Sequence, residues 1–146
     1  MRRKTKIGKK EYIEIIGKIK LNGFYLKSSA CEIDRDLFFI KKGERHFINI
    51  QDEPTMKLRD DGTVDIFHKY CLEMSSREKQ PIGRIECVFC LNYSPSSCFT
   101  NEFFEEFKKA NLHINTWPFF REFVFNTTAR MNIPPITLPL LKARRG

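Results

Sequence analysis

Cys87-x-x-Cys90 is the spacing in this sequence closest to a metal or redox motif. Zinc would need further ligands, and no second cysteine pair stands at finger spacing. The surrounding run IECVFCLNY alternates as a strand does. Residues three apart on a strand point to opposite faces, so one ion could not easily take both sulfurs. A thioredoxin-like dithiol opens a helix after a strand, which this pair does not. Two small buried thiols are expected. His46, His68 and His113 stand far apart and beside no nucleophile motif, and His68 falls on the apolar side of its strand, where a hydrogen-bonded core histidine is expected. Glu105-Glu106 and Asp60-Asp61 suit a solvated helix face and a turn better than paired-carboxylate catalysis. There is no glycine-rich phosphate loop and no Gly-x-Ser-x-Gly. The chain is therefore not expected to be an enzyme, and neither a cofactor nor a metal is expected.

The elements that would position such groups come in a simple order. From Lys18 to Tyr93 the signals are those of strands, beginning with GKIKLNGFYLKSSACEI, where Gly23 marks a bulge or bend. Phe38, Phe39 and Ile40 then sit among charges in an exposed or half-docked connection, with strand expected at His46–Ile50 and Met56–Leu58. The turn residues Asp60, Asp61 and Gly62 open a strand whose Val64, Ile66, His68, Tyr70, Leu72 and Met74 share one face. On the returning strand Ile85, Cys87, Phe89, Leu91 and Tyr93 do the same. Both strands are apolar on one side only, as in an antiparallel sheet covered on one face. Helices follow: a short one capped by Thr100 or Asn101, and a second starting at Asn115 or Thr116, with Pro118 in its first turn. The second ends near Met131, where Asn132 suits the left-handed position and Ile133, before Pro134, leaves the helix. Strands first and helices after is an α+β order.

At 146 residues the chain is most simply one domain. Its net charge of +8 is a property of the ends, since residues 1–10 carry six Lys/Arg and residues 142–146 carry three, leaving 17 basic against 18 acidic residues between. The organisation expected is a basic N-terminal extension (1–17), a folded domain (18–141) and a basic tail (142–146). Such tails attract nucleic acid, anionic lipid or acidic partners, or keep a protein soluble. The start has no apolar core of a signal peptide, no run is long enough to span a bilayer, and five scattered cysteines suit reduced thiols. A cytoplasmic protein without membrane insertion is expected.

The segment Thr116–Leu141, TWPFFREFVFNTTARMNIPPITLPLL, is the unusual one. Trp117, Phe119, Phe120, Phe123 and Phe125 go all the way round a helix, and no single buried face absorbs that pattern. Such a helix must be covered on more than one side, and a second subunit is a natural cover. Trp117, Phe120 and Val124 form a stripe expected at a subunit or sheet contact. Only Arg121 and Arg130 interleave with these aromatics, which speaks against a nucleic-acid stacking surface.

These residues resemble the last block of SecB-type chaperones. Thr116-Trp117-Pro118-Phe119-Phe120-Arg121-Glu122 is similar to the helix start of that family, Asn126 to Arg130 to its middle, and Ile133-Pro134-Pro135-Ile136-Thr137-Leu138-Pro139 to its proline-rich exit. The resemblance implies a four-stranded antiparallel sheet with the long C-terminal helix packed on it. It also implies a homotetramer, a dimer of dimers with the helices at its centre, in which Trp117, Phe120 and Val124 belong to the oligomer interface. The function implied is ATP-independent holding of unfolded polypeptides in apolar grooves. There the proline-rich segment and the first connection line the groove, which assigns client contact to Phe38, Phe39, Ile40, Ile133, Pro135, Ile136, Leu138 and Leu141. Proline spacing keeps such a tail extended without letting it pair as a strand. The chain departs from the export chaperones in its basic ends and in lacking their C-terminal helix and metal-binding tail. Delivery to an export motor is therefore the weaker expectation, and the SecB-like chaperones that protect an antitoxin in a toxin–antitoxin system give the alternative. A basic-tailed nucleic-acid-binding adaptor is the alternative of another class.

Overall fold

A computed structural model describes residues 6–40 and 45–141, so residues 1–5 of the basic extension and the whole basic tail lie outside the described residues. Strands β1 (Lys20–Ile33), β2 (Phe47–Leu58), β3 (Val64–Ser75) and β4 (Pro81–Ser94) form one antiparallel sheet in the order β1-β4-β3-β2. The strict alternation of β3 and β4 produces its covered face: Val64, Ile66, His68, Tyr70, Leu72 and Met74 are all buried, as are Ile85, Cys87, Phe89, Leu91 and Tyr93. Register places Tyr70 opposite Cys87 and Leu72 opposite Ile85, so the two apolar rows lie side by side. Cys87 lies in that row, whereas Cys90, also buried, lies on the opposite side of β4. The β2–β3 turn holds Gly62 at φ 81°, a left-handed conformation that glycine adopts without penalty. Gly83 meets the end of β1 so closely that a Cβ there would stand 3.0 Å from the Glu32 carbonyl oxygen. A register shift between Leu21 and Gly23 marks the expected bulge.

Several elements differ from the sequence expectation. β2 is one strand rather than two pieces, because it is an edge strand paired only with β3 and so tolerates Pro54 in its interior. Asp34, accepting from the Leu37 N–H at 3.0 Å, caps a short helix α2 (Arg35–Phe39) where an irregular connection was expected. Residues 9–18, assigned mostly to the extension, form helix α1 (Lys9–Lys18). Tyr12, Ile15 and Ile16 of α1 pack on the main core, with the Tyr12 ring 5.4 Å from Phe103. The core thus reaches across the boundary expected at residue 18.

The C-terminal helices are one continuous path. Thr100 caps α3 (Asn101–Phe107), a π turn (Lys108–Leu112) follows, and α4 (His113–Arg130) continues directly from it. The helix therefore does not start at Asn115 or Thr116, and Pro118 lies inside it. Pro118 removes one backbone hydrogen bond, but on the exposed side of the helix, where the freed carbonyl is open to solvent rather than buried. Leu112, Thr116, Phe120, Val124 and Thr128, each four residues on, are fully buried and form the stripe that faces the sheet. Phe120 stacks on Tyr70 with centroids 4.4 Å apart and planes 9° from parallel. Thr116 and Thr128 keep their hydroxyls satisfied by donating to Leu112 O (3.0 Å) and Val124 O (2.8 Å). Asn132 takes φ 55° and closes the helix as expected.

Candidate functional site

After Asn132 the chain doubles back along α4. Helix side chains hold its backbone at successive points: the Ile136 N–H donates to Thr128 Oγ1 (2.9 Å), Arg121 Nε donates to Leu138 O, and Trp117 Nε1 donates to Pro139 O (2.8 Å). Pro134, Pro135 and Pro139 keep this segment extended while helix side chains replace the strand partner it lacks. The first connection meets the same region from the other side, where Arg35 Nη2 donates to the Asn132 carbonyl at 3.3 Å. Met74, Ile82 and Ile133 form a small buried cluster there, with Ile33, Leu37, Phe38, Met131 and Ile136 packed against it. Phe38 also stacks on His46, whose Nε2–H donates to the Phe38 carbonyl at 3.1 Å.

The structure divides the expected contact residues into two sets. Ile133 and Leu138 are buried, and Phe38 and Ile136 are half-buried. Ile133 and Leu138 offer no surface to a ligand, because the first connection and the tail use them to pack against the body. Phe39, Ile40, Pro135 and Leu141 remain exposed, together with Leu140, which the sequence reading did not single out. Beside α2 an open groove of about 990 Å³ is lined by Ile33, Phe47, Met74 and Ile82, with Glu32, Asp34, Glu73, Arg77, Lys79 and Arg84 around them. Its floor shares Ile33, Met74 and Ile82 with the small cluster. These floor residues come from the ends of β1 and β3 and the start of β4, and no local sequence pattern brings them together.

Of the two covers expected for the helix stripe, subunit or sheet, the described residues show the sheet. Phe120 and Val124 are fully buried against the chain's own sheet, and Trp117 is half-buried with its indole bonded to the tail. The sheet takes the stripe because Tyr70 and Phe89 present it with an aromatic floor. What α4 and the turn before it leave exposed is Ile114, Phe119 and Phe125. Phe119 lies 4.4 Å from Phe24 of β1.

Beneath the start of α4 sits a buried polar group. His68 is fully buried, with Nδ1 2.8 Å from Thr116 Oγ1 and Nε2 2.7 Å from Asp52 Oδ2. Burial outweighs the attraction of Asp52 and pushes the His68 pKa down to about 4, so it is neutral at pH 7. The histidine is hydrogen-bonded, as its place on an apolar strand face suggests. Burial likewise pushes the Cys87 thiol up to about 12, which leaves it protonated and inert as a nucleophile.

No helix among the described residues is long and apolar enough to cross a membrane. No family model and no curated protein matches the chain. Among solved structures it is similar to the SecB-like chaperone Rv1957 of Mycobacterium tuberculosis, determined in complex with a ChAD peptide from the Rv1956 HigA1 antitoxin. That match has a TM-score of 0.74 at 14% identity and covers 91% of this chain and 98% of that one. A protein of unknown function from Streptococcus agalactiae matches with a TM-score of 0.41 at 13% identity over 84% of this chain and 97% of that one, too distant to argue from. At such identities the first likeness is one of fold: the four-stranded antiparallel sheet with its long C-terminal helix is SecB-like.

Proposed function

We propose that this protein is an ATP-independent chaperone that holds unfolded or aggregation-prone polypeptides, a binding protein rather than an enzyme. One observation carries the reading. A fold shared over nearly the whole chain with a SecB-like chaperone supports it, and exposed apolar residues suit it, Phe39 and Ile40 at the end of α2 and Pro135, Leu140 and Leu141 in the proline-rich tail. An unfolded chain presents apolar side chains without fixed geometry, so an extended, adaptable surface suits it better than a closed pocket. Burial at about 25 cal/mol per Å² lets a few client side chains contribute several kcal/mol, and contacts along one chain add by multivalency. The charged rim of the groove suits the polar backbone and flanking charges of such a client.

A more specific reading has its own support: the structure of similar fold holds an antitoxin peptide. On that reading the client is one antitoxin, and the chaperone acts within a toxin–antitoxin system in the cytoplasm. The folded unit is proposed as residues 18–141 with α1 docked on it. The exposed apolar side chains of α4, Ile114 and Phe125 on one flank and Phe119 on the other, are the proposed contacts for subunits of a homotetramer. The holding activity is tested by diluting a denatured model client and following light scattering. Suppression without nucleotide is the expected result, and no suppression at several-fold excess of this protein sinks the proposal.

A further inference from the structure

Asp52 of β2, His68 of β3 and His113 of α4 bring one carboxylate oxygen and two imidazole nitrogens within 4.8 Å of one another. His68 Nδ1 lies 2.8 Å from Thr116 Oγ1, which also meets Leu112 O at 3.0 Å and the Tyr70 hydroxyl at 2.8 Å. The Tyr70 hydroxyl in turn lies 3.2 Å from His113 Nδ1. Both imidazoles turn Nε2 toward Asp52 Oδ2, at 2.7 Å from His68 and 3.2 Å from His113. A neutral imidazole can carry its proton on Nδ1, toward the Thr116 or Tyr70 oxygen, which frees Nε2 to bind an ion beside the carboxylate.

We infer that Asp52, His68 and His113 form a binding site for a divalent transition-metal cation, with zinc the best fit. Two imidazoles and one carboxylate are borderline ligands that suit zinc and its first-row neighbours better than magnesium or calcium. Zinc bonds of 2.0–2.1 Å place tetrahedral ligands about 3.3 Å apart. The His113–Asp52 separation of 3.2 Å already fits, and the 2.7 Å pair needs only a small opening. The residues free to give way are Asp52 and His113, whose side chains are about a third exposed, while His68 is held rigid. Thr116 and Tyr70 are the outer partners that metal-bound histidines require on their second nitrogen. The exposed side leaves room for water to complete the shell. Such an ion would staple the edge strand β2 and its neighbour β3 to the head of α4, just after the π turn that sets the position of His113.

Tag-free full-length protein, stripped with a chelator and kept under a thiol-free reductant, tests the site by thermal unfolding with and without zinc chloride. At a hundredfold excess over Kd, a rise in Tm of about 5 °C or more is expected. Asp52→Asn and His113→Gln should each remove most of that rise. No rise, or an equal rise in both variants from zinc on the cysteines, overturns the inference.

Discussion

Phe120→Ala is expected to lower the folding stability by about 3–5 kcal/mol, the range for truncating a fully buried aromatic side chain. Phe120 is fully buried, stacks on Tyr70 and lies 5.8 Å from the Trp117 ring, so its removal opens a cavity between helix and sheet that neither rigid layer can close. Chemical denaturation followed by circular dichroism measures the loss. Phe119→Ala, one residue earlier but half exposed, should cost far less and should instead weaken the proposed subunit association, read by sedimentation. If Phe120→Ala costs less than about 1 kcal/mol, or leaves the fold intact while dissociating subunits, the helix packs otherwise than described.

Replacing Phe39, Ile40, Leu140 and Leu141 together by Ser should weaken binding of an unfolded client at least about tenfold, with little change in Tm. Burying each such side chain contributes about 1.5–3 kcal/mol when complete, so even partial burial of four gives that loss. These side chains are 50%, 69%, 71% and 46% exposed, so the folded protein gives up little when they become polar. Leu138→Ser is the contrast. That side chain is in the main core, and its substitution should unfold the protein before binding can be judged. A quadruple variant that binds as the parent does moves the client surface elsewhere.

The sequence made the sheet readable because β3 and β4 each present one uninterrupted apolar face, and a period of two admits no other register of burial. The end of α4 was equally plain, since Asn132 and the residue before Pro134 act locally. The start of the helical path was not. A π turn has no compositional mark of its own, and Pro118 imitates a first-turn proline. The candidate site was half legible. Apolar character in Phe38–Ile40 and Ile133–Leu141 is visible in the sequence, but which side chains face inward depends on how the tail doubles back. That path is fixed by Thr128, Arg121 and Trp117 reaching across from the helix. The convergence of Asp52 and His68 with His113 was invisible for the same reason, because it depends on the register of β2 against β3 and on the π turn.

Titration of a fluorescently labelled polypeptide that cannot fold, against the same polypeptide in a foldable, folded version, tests the chaperone account most directly. Saturable, nucleotide-independent binding of the unfolded chain, with no measurable binding of the folded one, is the predicted result. Equal affinity for both forms, or none for either, contradicts it.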